Sequence, residues 1–511
     1  MSSLVPSPAQ SLAESAVQSV DWQAIAPPTL TAVVALVVLV ADLFVGEARK
    51  PLLGLLSVAG LAASAALLVP LLDGDRSTFC LTGEPSACSY TVDRFTLVIQ
   101  FLVLGGALLT ALLSVTALKD ARGRLPEGEF WFLLLSSAAG AALLPASRDL
   151  ATLVVALEVA SLPAFALVGI RHGDRRSSEA ALKFFLSSVT ATTVSLLGIS
   201  FVYATTGTLY LTQVADRIQR VDGQLHTLAQ TGVVLTLIGF AFKTAAVPFH
   251  FWVPDTYVGA PLPIAAYLSV VGKAVGFSGL ILVTVVAFPS YADVWGPALA
   301  ALAALTMTVG NVGALRQQTT RAYSAVRLLA WSSVGQAGYL LVPIAAAAYS
   351  DDAEHAVGST VAYALMYAAV NLGAFAVAAL VGRSSTANRI TDYRGLYARN
   401  PLAALLLAFF LLCLAGLPPG VIGLFAKVTV FSAAVDAGLG WLAVVMAVNV
   451  VIALYYYLRW TALLFSTPEG RPEKHSVPAP LTAAIALTAA LGVALSGAPQ
   501  LVLRFADTGL F

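Results

Sequence analysis

Apolar residues in this chain come in long unbroken blocks, not in the alternation of a half-buried strand. Fourteen blocks are long enough to cross about 30 Å of hydrocarbon as helices: 29–46, 51–72, 95–117, 129–146, 150–170, 182–205, 230–253, 262–288, 295–315, 325–347, 357–382, 401–434, 440–465 and 480–500. Two contain helix-breaking proline beside lysine. In GFAFKTAAVPFHFWVPD, Lys243 stands five residues before Pro248, and in LAGLPPGVIGLFAK, Pro418 and Pro419 stand ahead of Lys427. A proline inside a span frees a carbonyl that needs a new partner. A lysine at the midplane costs about 2.5–3.5 kcal/mol on insertion scales. Backbone opened at membrane depth survives only against protein or a watery cavity, so both segments predict discontinuous helices at a hydrated midplane. The order of break and lysine is reversed between them, which predicts an inverted internal repeat.

Connections are mostly short, and 206–229 has room for a short amphipathic element lying on the outer face. One membrane domain over 1–511 is expected: three N-terminal helices (29–128), five-helix units at 129–288 and 295–465, and a last helix at 480–500. The expected fold class is therefore all-α polytopic membrane protein, about 14 transmembrane helices in two inverted five-helix repeats, with the seventh and twelfth spans discontinuous.

Composition agrees. Of 511 residues, 59% are hydrophobic and 11% charged, with a net charge of +1, and the mean hydropathy is +0.85. No basic cluster interleaved with aromatics points to nucleic acid. With an outside N-terminus, inside loops hold 17 of the 28 lysines and arginines and outside segments only six, so both termini are expected outside. The first 28 residues lack the basic start and short apolar core of a cleaved leader. Three cysteines without a CxxC motif give no iron–sulfur or zinc pattern, and no GxGxxG follows a strand. Cys80 and Cys88 share one outer loop and are a candidate disulfide.

With Arg327, at the very start of its block, counted with the loop, five basic residues fall inside spans: Lys183, Lys243, Lys273, Lys427 and Arg459. Glu158 also lies inside one, and its expected partner is Lys243, since a buried ion needs compensation. A static pair locking two helices is the plainer alternative. A row of desolvated lysines exchanges protons more readily than isolated ones, which makes Lys243, Lys273 and Lys427 candidate proton carriers. Lys183 sits near a helix start and has the alternative of snorkelling to the surface. His250, after the break, either relays a proton or caps freed backbone. Ser332, Ser333, Tyr363, Tyr367 and Asn371 either hold water between lysines or act as interhelical glue.

Several motifs resemble one family. LEVASLPAFALVG with Glu158, SSEAALKFFL with Lys183, FKTAAVPFHFWVPDTYVGAPLPIAAYLSVVGKAVGF with Lys243 and Lys273, RLLAWSSVGQAGYLL, YALMYAAVNLGAFAV, GLPPGVIGLFAK with Lys427, and YYYLR beside Arg459 are similar, in that order, to the antiporter-like proton-pumping subunits of respiratory complex I, NADH:quinone oxidoreductase. The N-type branch is favoured by lysine in SVVGKAVGF, where the L-type resembles a histidine pattern, by lysine at 427, where the M-type carries glutamate, and by the lack of a long lateral C-terminal helix. The resemblance implies fourteen helices and a hydrated midplane axis in which Glu158 couples to Lys243, Lys273 connects and Lys427 is terminal. It implies a proton translocase subunit of the bacterial cell membrane, driven by quinone reduction elsewhere. No cofactor is expected in this chain, since NAD, FMN, iron–sulfur clusters and quinone would sit in partner subunits. Expected partners are the other membrane-arm subunits, lipid, protons and water, with no nucleic acid. ALRQQTTRAYSAVRLLAWSS departs from the family pattern, as do Cys80 and Cys88. Rival readings are a subunit of a multi-subunit sodium/proton antiporter and an inert spacer of the membrane arm.

Overall fold

The computed structural model describes residues 20–81, 84–121, 123–468, 477–507 and 509–511. Arg122, Arg471 and Lys474 of the charge count, and residues 1–19 of the leader reading, lie outside them.

Helices start where a short polar side chain precedes an apolar run, because its oxygen accepts from first-turn N–H groups. Asp21 caps α1 (Trp22–Asp42), Asp149 caps α5 (Leu150–Val168), Asp174 caps α6 (Arg175–Thr206), Asp352 caps α13 (Ala353–Ser384) and Asn400 caps α15 (Pro401–Ala415). The first helix starts seven residues before the expected span and carries Pro27 and Pro28 inside it. Pro28 cannot bond the Ala24 carbonyl. The Tyr90 hydroxyl donates to that oxygen instead, at 3.3 Å.

The remaining elements follow in chain order as α2 (Pro51–Ala66), β1 (Arg76–Leu81), β2 (Glu84–Val92), α3 (Arg94–Ala121), α4 (Glu127–Leu143), α7 (Leu211–Ile218), α8 (Gly223–Thr244), α9 (Val253–Gly259), α10 (Leu262–Ile281), α11 (Ala292–Leu315), α12 (Ser324–Ala346), α14 (Leu396–Arg399), α16 (Val421–Asp436), α17 (Gly440–Leu464), α18 (Ala479–Gly497) and α19 (Gln500–Asp507). Among the described residues thirteen helices are long and apolar enough to cross a membrane. The fourteenth expected span, 401–434, is divided between α15 and α16, neither long enough alone. The seventh is divided too, between α8 and α9.

Helices α10, α12 and α13 are buried almost end to end, whereas α1, α2, α6, α17 and α18 turn apolar faces outward. Such exposure suits a chain whose solvent is lipid. The central position of α10, α12 and α13 is what brings polar side chains from both halves together.

The 73–94 connection is an antiparallel hairpin with Cys80 opposite Cys88 and a disulfide between them. Arg76 bonds Asp21 at 2.7 Å, which holds the Asp21 carboxyl below its usual range. The Phe95 N–H donates to the Leu510 carbonyl at 3.0 Å, so the hairpin and both ends of the described chain share one face of the bundle. In the 206–229 connection, α7 buries Leu211, Val214 and Ile218 on one side, the amphipathic element expected there.

Candidate functional site

Helix α8 ends at Thr244, where Ala245 turns left-handed with φ 69°. The next helical residue is Val253. The Val247 N–H finds the Thr306 hydroxyl at 2.9 Å, and the freed Thr244 carbonyl accepts from Lys273 Nζ at 3.1 Å. Helix α15 likewise ends at Ala415, Gly416 turns left-handed with φ 86°, and α16 starts at Val421. Here the freed Ala415 carbonyl accepts from Lys427 Nζ at 2.7 Å. Each half-helix thus presents the negative end of its dipole to a lysine. Lys273 and Lys427 are 2% and 5% exposed, so each is an ion taken out of solvent and aimed at backbone.

Lys243 is differently placed. It is 5% exposed, and no ion pair within 4.0 Å joins it to Glu158 among the described residues. Its ammonium lies 4.9 Å from the ring centre of Phe165, 5.0 Å from Phe184 and 5.6 Å from Phe242. Glu158 is half-buried and accepts from the Thr192 hydroxyl at 2.7 Å. The expected partners Glu158 and Lys243 therefore do not touch as an ion pair in this arrangement.

Lys183 does reach the surface, but paired. It bonds Glu179 at 2.7 Å and Asp255 at 2.9 Å, and Asp255 also takes Arg327 at 3.3 Å. His250 lies in the break with its ring 5.5 Å from Trp331. Pro248, Pro418 and Pro419 all fall in non-helical backbone between half-helices.

Between the two breaks runs a line of polar side chains. Ser269, one turn before Lys273, accepts from Asn371 Nδ2 at 2.6 Å. The Tyr367 hydroxyl donates to Ser333 at 3.1 Å, and the Tyr257 hydroxyl meets the same serine at 3.3 Å. Ser332 bonds the Tyr457 hydroxyl, Gln336 Nε2 donates to that hydroxyl at 3.4 Å and to the Leu414 carbonyl at 3.5 Å, and Tyr363 donates to Gln336 Oε1. A cavity of about 20 Å³, one water's worth, is lined by Gln336, Tyr363, Tyr367 and Lys427. A second of the same size touches Lys243, Ser137, Tyr267 and Trp252. Hydroxyls, one amide and two water-sized cavities thus lie around and between the buried lysines.

Of the residues expected from sequence, Lys273, Ser333, Tyr367 and Asn371 gather at one end of this line and Ser332, Tyr363 and Lys427 at the other. Glu158 and Lys183 stand at the perimeter. The sequence reading missed Gln336, Tyr457, Ser269 and Asp255. It also missed the rings round Lys243, although Phe184 directly follows Lys183 and Phe242 directly precedes Lys243. Among the described residues no three His, Cys, Asp or Glu side chains converge as a metal site would require.

Residues 147–453, which include every one of these lysines, match the family described as NADH:quinone oxidoreductase/Mrp antiporter, TM. The chain is 75% identical to NADH-quinone oxidoreductase subunit N 2 of Streptomyces griseus, covering 98% of this chain and 96% of the relative. It is similar to a chain of respiratory complex I from Thermus thermophilus, at 30% identity and a TM-score of 0.74 over 94% of this chain and 98% of the other. It shares the fold of a chain of the Mrp complex from Dietzia, at 22% identity and a TM-score of 0.78 over 94% and 96%.

Proposed function

We propose a mechanism from one premise: the chain belongs to the subunit N family of NADH-quinone oxidoreductase, the antiporter-like membrane subunits of respiratory complex I. In this reading it is a multi-pass subunit of the bacterial plasma membrane, with both termini outside, packed beside other membrane-arm subunits. It carries protons along the line from Lys243 to Lys427 while NAD, FMN, iron–sulfur and quinone chemistry takes place in its partners. Units 129–288 and 295–465 are read as the inverted repeats that place one broken helix in each half.

The observation that carries the reading is the capping of both interrupted helices by lysines, with a polar line between them. A lysine bonded to a half-helix end loses charge only by weakening that cap, so its proton and the local backbone are coupled. A disturbance of charge or hydration at the Glu158 end would change which lysine holds its proton and pass along the line. A spacer would have no use for three buried ammonium groups, which together cost about 8–10 kcal/mol on the insertion scale. The sodium/proton antiporter reading shares the fold, but the relative at 75% identity is named for the quinone oxidoreductase.

Lys273→Met tests this. The complex carrying it, reconstituted in vesicles, is expected to assemble and to pump at about a tenth of the wild-type rate or less, the order lost when a positioned proton carrier is removed. Wild-type rate and stoichiometry would refute the reading.

A further inference from the structure

The Lys243 ammonium is buried, has no hydrogen-bond acceptor among the described residues, and faces three aromatic rings within 5.6 Å. A cation inside about 6 Å of a ring centre is attracted by the electron-rich face, more strongly once it is out of water. The rings come from three helices. Phe165 is on α5, Phe184 on α6 and Phe242 on α8 itself. Phe165 and Phe184 meet edge to face at 4.7 Å, and Phe184 stacks on Trp252 at 4.2 Å. Trp252 immediately precedes α9, so one wall of the enclosure is attached to the break.

Glu158 and Phe165 are seven residues apart on α5, two turns along one face, which sets them about 10 Å apart along the axis. The flexible four-carbon stem of a lysine gives its head a choice between such stations. At one end stands a carboxylate already bonded by Thr192. At the other stand the rings, where the ammonium lies here.

We propose that Phe165, Phe184 and Phe242 form a cation-holding cage that positions Lys243 in a station competing with Glu158. The rings take no proton and touch no reactant. They set how much of the time the ammonium is withdrawn from the carboxylate, and α9 governs the cage through the Trp252–Phe184 stack. Glu158 and Lys243 are then two ends of a switch, not a standing pair. The cage rests on the proton-carrying reading of Lys243, and the test separates the two.

Fluorination draws electron density from a ring with little change of shape, so a series of mono-, di- and trifluorophenylalanine at position 184 weakens cation binding in steps while packing stays nearly constant. In the intact complex reconstituted in vesicles, the pumping rate is expected to fall stepwise with fluorine count, by about two- to fivefold across the series. Phe184→Leu should lie at or below the end of it. A flat series, or a loss complete at the first fluorine, leaves the rings only a packing role and overturns the cage. A stepwise rise overturns the competition with Glu158. Lys243→Met is the companion measurement. If that variant pumps normally, the function assigned to Lys243 fails and the cage with it; if it is impaired while the fluorinated series is flat, the cage alone fails.

Discussion

The two broken helices solve one problem with different parts. At both, the first half ends in a left-handed residue and its last carbonyl is bonded by a lysine. At the first break that residue is Ala245 and the lysine, Lys273, comes from the neighbouring α10. At the second it is Gly416 and the lysine, Lys427, comes from the second half of the same span. The second half-helices are also held differently. Helix α9 is fastened by side chains, through the Trp252–Phe184 stack and the Asp255 ion pairs with Lys183 and Arg327. Helix α16 is pressed against α15 through bare backbone, where a Cβ on Gly423 would run into the Cys413 carbonyl. In the proposed mechanism the first break adds a second carrier, Lys243, to the capping lysine Lys273, whereas the second relies on Lys427 alone.

Removing a lysine should expose that difference most. Lys427→Met deletes carrier and cap together. We expect an assembled complex whose pumping falls to about a tenth or less, and whose thermal inactivation comes earlier because the buried Ala415 carbonyl loses its donor, a loss of about 1–3 kcal/mol. Lys243→Met should lower pumping without the thermal penalty, since Lys273 still bonds Thr244. Equal thermal shifts in the two variants would erase the distinction.

Backbone contact comes next. Gly423→Ala should cost about 1–3 kcal/mol by overpacking, seen as reduced subunit content in purified membranes. Normal content would mean that α16 is held by something other than close approach.

Exchanging the left-handed residues should move the two breaks in opposite directions. Gly416→Ala is expected to destabilise by about 1–2 kcal/mol, and its Cβ would also sit 3.1 Å from Lys427 Cδ. Ala245→Gly should stabilise by about 0.5–1 kcal/mol, because an alanine there holds a conformation disfavoured for L-residues. Thermal inactivation midpoints of the two variants, shifting apart, check this.

The smallest effect is expected at α9. Its ion pairs are partly exposed, with Lys183 at 47% and Asp255 at 38% side-chain exposure, so Asp255→Asn should cost no more than about 1 kcal/mol. Complex yield at raised salt is the measurement, and a collapse of the assembly would move Asp255 from fastening to essential support.

Span number and the position of each break could be read from sequence because both follow from local composition. Apolar length sets one, and Pro248, Pro418 and Pro419 set the other. The same holds for the buried lysines, whose cost marks them wherever they occur in an apolar span. What each lysine touches was not legible. Lys273 bonds a carbonyl 29 residues away and Gln336 one 78 residues away, contacts fixed by how helices cross and not by any pattern along one of them. Glu158 and Lys243 were matched by charge and by the family resemblance. Ring faces are a neutral partner, and a reading that balances charges has no way to weigh them against a carboxylate. Tyr457 and Gln336 were hidden for a similar reason, since a hydroxyl or amide in a span reads equally as glue.

Gln336 gives the row from Tyr363 to Ser332 a fixed direction. A row of hydroxyls can reverse its hydrogens one after another and point either way. An amide cannot, since its oxygen only accepts and its nitrogen only donates. Tyr363 donates to the oxygen and the nitrogen donates to Tyr457, whose own hydrogen is then free for Ser332. The dipoles from Tyr363 to Ser332 therefore point one way, and turning them round requires the Gln336 amide to rotate by half a turn within packed helices.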